Sequence, residues 1–232
     1  GTLGIKTISS RMDVINTTLD PIELGFNLEK LKKQNIENVI LEASSHGLKQ
    51  NRLNGLNFKT ALFTNLSHDH LDYHKNFKNY LNAKLYLFKK LLNKKSNIIT
   101  DITIPEYKKI KKISLRNKLN LKTIGVGKGD LNIITHEYVG EKQVIKIKYK
   151  NNFYYFETNL IGKIQIKNLL MAMIAAEKSN IDFKNIVNVI NKVNPVSGRL
   201  EKIGRIKNNS KIILDYAHTP DALKICLQNL KD

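Results

Sequence analysis

Acidic and imidazole side chains are concentrated between residues 41 and 88, together with one lysine at an apolar position, Lys84. Glu42 directly follows the apolar run 39–41, and His70 lies in the polar segment that follows the apolar run 60–63. Both runs are short and partly β-branched, which is typical of buried parallel strands. Polar residues at the carboxyl ends of such strands line the ligand crevice of an open α/β sheet. The pattern therefore predicts a functional site that contains Glu42 and His70.

Lys84 falls in the middle of a predicted apolar helix face. Segment 76–92 has the period of a helix, and Lys84 lies four residues after Tyr80 and four before Phe88. A buried ammonium group is costly unless it gains an ion partner or changes chemically. The side chain can instead extend its head to water past the apolar surface. Pattern alone leaves these two alternatives open.

A divalent-cation site is one chemistry that these three residues could support. A carboxylate from Glu42 and a neutral imidazole from His70 are reasonable ligands, although Mg²⁺ prefers oxygen. If CO₂ carbamylated Lys84, the ammonium would become an anionic oxygen donor and the cost of burying it would disappear. We therefore expect the metal ligands, if a metal binds, to be Glu42, His70 and Lys84 as its carbamate.

A rival metal chemistry is suggested by His68, His70, Asp72 and His74, which alternate along the chain. The alternation faintly resembles the histidine-rich loop of binuclear metallo-hydrolases, which activate water at a metal pair. Those enzymes place the second acid directly beside the next histidine, whereas Tyr73 intervenes between Asp72 and His74. A glycine turn does not follow either. The pattern disfavours a hydrolase without excluding it.

Composition limits the cell compartment and the partners. The formal charge is +19, and lysine accompanies asparagine and isoleucine along the chain, which indicates compositional drift rather than a designed basic patch. An arginine cluster or a known nucleic-acid motif is lacking, so the alternative of a cationic nucleic-acid-binding module is disfavoured. The single cysteine, Cys226, fits a reducing cytoplasm. No apolar run approaches the roughly 20 residues needed to cross a bilayer, so a membrane span is not expected. Together, these features lead us to expect a cytoplasmic protein without nucleic-acid or membrane partners. We also expect a monomer.

The order of predicted elements indicates an α/β fold with a central, mostly parallel sheet flanked by helices. A helix begins at Asp20-Pro21, an N-cap followed by a first-turn proline. Period-two alternation over 131–158 predicts an antiparallel meander. Proline and glycine within 195–198 predict a domain boundary, giving domains 1–198 and 199–232. Further strands are predicted at 39–41, 60–63, 97–100, 122–126 and 212–214, and further helices at 76–92, 106–115, 165–178, 183–192 and after Thr219. A loop through Gln50 and Arg52 is predicted between the first two of these strands.

Five separated motifs resemble, in order and spacing, the signatures of the Mur ligases. The resemblance is greatest to those that add the third amino acid to UDP-N-acetylmuramoyl-L-alanyl-D-glutamate. It implies an ATPase domain of the P-loop type followed by the start of a Rossmann-like C-terminal domain. The motifs are Leu41-Glu42-Ala43-Ser44-Ser45-His46-Gly47-Leu48, Phe63-Thr64-Asn65-Leu66 with Asp69-His70-Leu71-Asp72-Tyr73-His74, Ala83-Lys84, Ser197-Gly198-Arg199-Leu200-Glu201, and Asp215-Tyr216-Ala217-His218-Thr219-Pro220-Asp221-Ala222-Leu223.

The resemblance implies an ATP-dependent amide-bond ligase of peptidoglycan synthesis that works through an acyl phosphate. By similarity, Glu42, His70 and carbamylated Lys84 hold Mg²⁺ near the transferring phosphoryl group. A diamino acid is the second substrate, with meso-diaminopimelate favoured over L-lysine. The positions that match contacts to the UDP-muramoyl-dipeptide are Thr17, Thr18, Ser44, Gln50 and Arg52, and those that match ATP contacts are Asn168, Arg199 and Asp215.

Two departures from the family pattern affect the ATP site. Gln165 stands where the family has an asparagine ahead of Asn168. In addition, residues 1–232 contain no G-x-x-x-x-G-K-[ST] phosphate loop. We therefore expect these residues to be part of a longer enzyme and to be inactive by themselves.

Overall fold

The computed structural model describes residues 1–231. The chain alternates helices and strands up to about residue 126 and then forms a run of antiparallel strands. In chain order the elements are β1 (Ile5–Lys6), β2 (Arg11–Met12), α1 (Pro21–Lys33), α2 (Ser45–Lys49), β3 (Phe58–Phe63), α3 (Leu71–His74), α4 (Phe77–Lys90), β4 (Leu92–Asp101), α5 (Tyr107–Arg116), β5 (Asn120–Val126), β6 (Leu131–Val139), β7 (Lys142–Tyr149), β8 (Asn152–Thr158), α6 (Lys163–Glu177), α7 (Phe183–Asn188), a 3₁₀ turn (Ile190–Lys192), β9 (Glu201–Arg205), β10 (Lys211–Leu214) and α8 (Pro220–Lys231).

Six strands form one sheet in the order β3-β4-β5-β6-β7-β8. The β4–β5 and β5–β6 pairs are parallel, whereas the β6–β7 and β7–β8 pairs are antiparallel. The predicted α/β class and the meander are thus confirmed. In β7 the period-two sequence places alternate residues in the core, with Ile145 and Ile147 fully buried.

The chain divides into two compact units. One comprises residues 1–61, 70–96 and 112–119, and the other comprises 62–69, 97–111 and the chain from 120 onward. The second unit contains a continuous apolar core, in which Ile124, Leu131 and Leu170 are fully buried. Helix α6 is apolar on most of its surface because it packs within that core.

Local signals in the sequence explain where several helices begin. The Asp20 carboxylate accepts hydrogen bonds from the backbone N–H groups of Ile22 and Glu23, and Asn76 caps α4 through the N–H of Asn79. Helix α8 follows Thr219, whose hydroxyl accepts a hydrogen bond from Ala222 N–H. These caps confirm the predicted helix starts at residues 20 and 76 and after 219.

Two local predictions are wrong. Residues 39–41 form no strand, and Ile40 is 97% exposed. A strand needs a neighbour to satisfy its backbone groups, and this run is paired with no strand in the described part of the chain. The loop expected through Gln50 contains the short helix α2, because Ser44 provides an N-cap for it.

From residue 1 to 231, no helix has both the length and the apolar character needed to cross a membrane.

Candidate functional site

Thr18 joins three parts of the first unit through hydrogen bonds. Its hydroxyl donates to the Glu42 carbonyl oxygen at 2.8 Å and accepts from Ser44 N–H at 2.9 Å. Its own carbonyl oxygen accepts from an Arg52 guanidinium nitrogen at 2.7 Å. The Thr18 side chain is buried, at 4% exposure. Three of the predicted substrate-binding residues, Thr18, Ser44 and Arg52, are therefore gathered around one hydroxyl and one carbonyl group.

Helix α2 starts directly beside this threonine. The Ser44 hydroxyl accepts a hydrogen bond from Gly47 N–H at 3.1 Å, which fixes the first turn. A Cβ atom on Gly47 would lie 2.7 Å from Thr18 Cγ2, so only glycine permits this approach. At the end of α2, the Gln50 side-chain amide donates to the Tyr73 hydroxyl at 3.2 Å. Gln50 thus points toward the segment that carries His70.

His70 and Lys84 both contact the ring of Tyr80. The His70 and Tyr80 ring centroids are 5.9 Å apart in an edge-on arrangement, and Lys84 Nζ lies 5.3 Å from the Tyr80 centroid. Tyr80 itself is buried, whereas Lys84 is half-buried. A cation over an aromatic face is favourable. The predicted position of Lys84 on the apolar side of α4 thus places it beside the same aromatic ring as His70.

The Glu42 carboxylate faces the first residues of the chain. Its Oε2 atom accepts hydrogen bonds from the Thr2 backbone N–H at 3.0 Å and from the Thr2 hydroxyl at 3.1 Å. Within residues 1–231, no group of three or more histidine, cysteine, aspartate and glutamate side chains is arranged to hold a metal ion. Glu42 contacts Thr2, whereas His70 and Lys84 both contact Tyr80, so these contacts join two of the three predicted metal ligands. A carboxylate, an imidazole and a carbamate on Lys84 would together offer mainly oxygen donors, which Mg²⁺ prefers.

A cluster of aromatic rings surrounds His70. The His46 ring centroid lies 4.9 Å from that of His70 and 4.1 Å from that of Tyr73, and His74 stacks on Tyr80 at 5.2 Å. His74 is buried and bonds to the Ser45 hydroxyl at 2.9 Å. Burial, with a smaller contribution from the neighbouring imidazoles of His46 and His70, holds the pKa of His74 below its ordinary value. Neutral His74 therefore supports this cluster as a buried hydrogen-bonding group.

His68, the first of the alternating histidines, contacts an acidic residue of helix α8. His68 Nδ1 lies 3.1 Å from the Asp221 carboxylate, and its backbone N–H bonds to the same oxygen atom. These contacts give no support to the metallo-hydrolase alternative.

Two of the three predicted nucleotide-binding residues, Arg199 and Asp215, lie near the start of β9 and the end of β10. Asp215 accepts hydrogen bonds from Leu200 N–H and Ala217 N–H, both at 2.8 Å. The Arg199 guanidinium lies 5.4 Å from the centre of the Tyr216 ring. The bond from Leu200 N–H to Asp215 therefore holds Asp215 close to Arg199, the residue before Leu200. Asn168 lies exposed on α6.

Gln165 contributes to this region in its own way. Its side-chain amide donates to the Arg199 carbonyl oxygen at 3.1 Å. Gln165 and Asn168 are three residues apart on α6, so they share one side of the helix. The longer amide at this position therefore links α6 to the segment that carries Arg199.

Sequence reasoning missed an ion pair at the end of β4. Asp101 is 1% exposed, and its carboxylate lies 2.6 Å from Lys167 Nζ and accepts two bonds from Thr103 at 2.7 Å. Burial alone would raise the pKa of Asp101, but the bonds from Lys167 and Thr103 hold it below its ordinary value. The available signal was an acid that directly follows an apolar strand.

Known proteins are similar to this chain over most or all of its length. Residues 1–176 match the family model described as the Mur ligase middle domain. The chain is 37% identical to the UDP-N-acetylmuramoyl-L-alanyl-D-glutamate--2,6-diaminopimelate ligase of Rickettsia bellii, with all of this chain and 49% of that protein covered. The corresponding ligase of Agrobacterium fabrum is 32% identical over 93% of this chain and 44% of its own length.

Solved structures give the same result. A structure of a UDP-N-acetylmuramoyl-L-alanyl-D-glutamate--2,6-diaminopimelate ligase superposes with a TM-score of 0.84 at 31% identity, covering all of this chain and 47% of that one. A MurF ligase from Thermotoga maritima in complex with ADP shares the fold, with a TM-score of 0.62 at 16% identity over 75% of this chain and 39% of its own. This chain spans about half the length of the curated relatives that it matches. On the family model and these relatives, the chain belongs to the Mur ligase family.

Proposed function

We propose that this chain is the ATPase part, with the start of the C-terminal domain, of an ATP-dependent ligase. The ligase joins meso-diaminopimelate to UDP-N-acetylmuramoyl-L-alanyl-D-glutamate in peptidoglycan synthesis. The observation that carries the proposal is 37% identity, over the whole chain, to a protein named as a ligase of these two substrates. The TM-score of 0.84 with a solved ligase of the same name supports it. In this proposal residues 1–198 form the central domain, residues 199–232 begin the next one, and the enzyme works as a cytoplasmic monomer.

The proposed reaction has two steps. The γ-phosphoryl group of ATP passes to a carboxylate of the UDP-muramoyl-dipeptide, which gives an acyl phosphate and ADP. An amine of diaminopimelate then attacks the acyl carbon, the amide bond forms, and inorganic phosphate leaves with a proton lost from the amine. Little covalent chemistry falls to the protein, so its residues act by positioning the reactants and stabilising charge.

Glu42, His70 and carbamylated Lys84 would hold Mg²⁺ in this proposal. The ion supplies charge neutralisation on the transferring phosphoryl group. The contact of both His70 and Lys84 with Tyr80 supports their pairing. The bonds from Thr2 to Glu42 hold one carboxylate oxygen atom and restrict the rotation of this side chain.

The residues around Thr18 would hold the UDP-muramoyl-dipeptide. A guanidinium group has five N–H donors, and the bond to the Thr18 carbonyl oxygen uses one nitrogen of Arg52. That bond orients the planar group so that its other donors can bind a phosphate or carboxylate. Thr17, Ser44 and Gln50 add hydroxyl and amide groups on the same unit. Thr18 would contribute by positioning Ser44 and Arg52, because its own hydroxyl is bonded to Glu42 and Ser44.

The nucleotide contacts are proposed for the second unit. Asn168 would lie near the adenine base, Asp215 near the ribose, and Arg199 would be a further nucleotide contact. The two backbone bonds accepted by Asp215 fix its carboxylate, which suits a group that must present a defined oxygen atom. The hydrogen bond from Gln165 to the Arg199 carbonyl oxygen would fix the position of Arg199 relative to α6.

Phosphate release by the full-length protein tests the proposal. We expect release only when ATP, UDP-N-acetylmuramoyl-L-alanyl-D-glutamate and diaminopimelate are all present, with much slower release when L-lysine replaces diaminopimelate. Efficient release with L-lysine would correct the amino acid. Hydrolysis of a substrate without ATP would favour the metallo-hydrolase instead. Absence of release with either amine would contradict the proposed function.

A further inference from the structure

The positive charge is strongly concentrated in one part of the chain. Residues 73–129 contain fifteen lysines and arginines and only two acids, a net charge of +13 out of the +19 of the whole chain. Residues 1–72 contain eight basic and eight acidic residues and are neutral. Both acids of the basic segment, Asp101 and Glu106, are buried. Every exposed charged side chain of this segment is therefore a cation.

Part of this charge is gathered at one place in the first unit, where α4 ends, β4 begins and α5 ends. The Asn117 side-chain amide donates to the carbonyl oxygens of Phe88 and Lys89, and Lys95 N–H donates to the Lys118 carbonyl oxygen. These bonds join the three chain segments. We call this region the basic corner, and its exposed cationic residues are Lys89, Lys90, Lys94, Lys95, Arg116 and Lys118.

Local structural needs explain only a fraction of this charge. Basic residues near a helix C-terminus are favourable because the helix dipole places about half a negative charge there. Helices α4 and α5 both end at the basic corner, at Lys90 and Arg116, and together offset about one of its six positive charges. The remaining charges repel one another, which favours binding of an extended anionic surface.

We propose that the basic corner binds the surface of a bilayer that contains anionic phospholipid. Five of its six cations are lysines, which act as hydrated point charges in a diffuse field, whereas nucleic-acid recognition favours arginine forks and stacked aromatic rings. Leu115, next to Arg116, is 71% exposed and can enter the headgroup region. None of the six cations belongs to the proposed active site. The concentration of charge thus revises the expectation of no membrane partner to one of peripheral contact.

Vesicle flotation with the full-length protein tests this inference. The probes are vesicles of phosphatidylcholine alone and of phosphatidylcholine mixed with phosphatidylglycerol. We expect binding to the mixed vesicles only, and we expect added salt to release the protein. The corner variant replaces all six cations of the basic corner with glutamine. A lysine near an anionic surface contributes roughly fivefold to affinity, and the loss of three such contacts lowers affinity roughly a hundredfold. We therefore expect the affinity of the corner variant for mixed vesicles to fall at least roughly a hundredfold.

A control variant separates local from overall charge. It replaces six other exposed lysines with glutamine, which lowers the net charge by the same amount; they are Lys148, Lys184, Lys192, Lys207, Lys224 and Lys231. We expect the control variant to bind vesicles nearly as well as the wild type, and both variants to keep ligase activity and the wild-type circular dichroism spectrum. Equal losses in the two variants would overturn the inference, because binding would then follow net charge. Binding of RNA but not of mixed vesicles through the basic corner, or binding of neither, would overturn it too.

Discussion

Thr18→Val removes one hydroxyl group while keeping the shape of the side chain. The wild-type hydroxyl satisfies the Glu42 carbonyl oxygen and the Ser44 N–H, and valine can satisfy neither. An unmade hydrogen bond costs about 1–3 kcal/mol when the partner is buried. Because Ser44 is only half-buried and Glu42 is exposed, water can partly replace the lost bonds. We therefore expect the variant to lose about 2 kcal/mol of unfolding free energy.

Thr18→Ser is the matched control for this substitution. Serine keeps both hydrogen bonds and loses only the methyl group that packs against Gly47. Removing one buried methyl group costs about 1 kcal/mol. The valine variant should therefore be less stable than the serine variant, although valine is the more hydrophobic residue. This order distinguishes a hydrogen-bonding role from simple packing.

Urea denaturation of the full-length protein, with the slope m held constant, measures both free energies. The KM for UDP-N-acetylmuramoyl-L-alanyl-D-glutamate provides a second readout, since Ser44 and Arg52 depend on Thr18 for their positions. We expect Thr18→Val to raise this KM about tenfold, as loss of uniform binding energy does, and Thr18→Ser to change it little. If Thr18→Val matched the wild type in stability and KM, the central role given to Thr18 would be refuted.

Three further substitutions test other contacts. Arg52→Ala should raise the KM for the UDP substrate while kcat changes little, and a fall in kcat alone would contradict its role in substrate binding. Asp101→Asn should lower the unfolding free energy by about 1–2 kcal/mol, because the ion pair with partly exposed Lys167 is lost, and an unchanged urea midpoint would show that the pair is neutral. The bond from Lys202, with the charges of Arg205 and Lys211, lowers the pKa of Glu141 from 4.5 to about 2. The stabilisation that ionised Glu141 gives the folded state is therefore complete above about pH 4.5 and is lost as the pH falls through about 2. The melting temperatures of the wild type and Glu141→Gln should converge as the pH falls across that window. A difference in melting temperature that stayed constant would refute the lowered pKa.

The local part of the fold was predictable from the sequence because its signals are local. The Asp20 and Asn76 caps mark helix starts, and period-two alternation gives the meander. Spacing along α4 also predicts that Lys84 lies on the Tyr80 side, four residues away. These features depend on interactions within a few residues, which the order of residue types reveals directly.

Features that depend on distant residues were not predictable in this way. Residues 39–41 have the composition of a strand, yet strand formation requires a pairing partner that local pattern does not reveal. The bonds from Thr18 to Glu42 and Ser44 join residues more than twenty positions apart, and the ion pair of Asp101 with Lys167 spans a still longer separation. The roles of Asn168, Arg199 and Asp215 were suggested by family resemblance alone, and they stay predictions.

The proposed metal site depends on carbamylation of Lys84. The most direct measurement is carbon-13 NMR of the full-length enzyme equilibrated with labelled CO₂, comparing the wild type with Lys84→Ala. We expect a carbamate resonance in the wild type that is absent from the variant, loss of ligase activity in the variant, and partial recovery of activity when a short carboxylic acid is added. A wild-type spectrum without a carbamate resonance, or a Lys84→Ala enzyme with unchanged turnover, would contradict the proposed carbamylation.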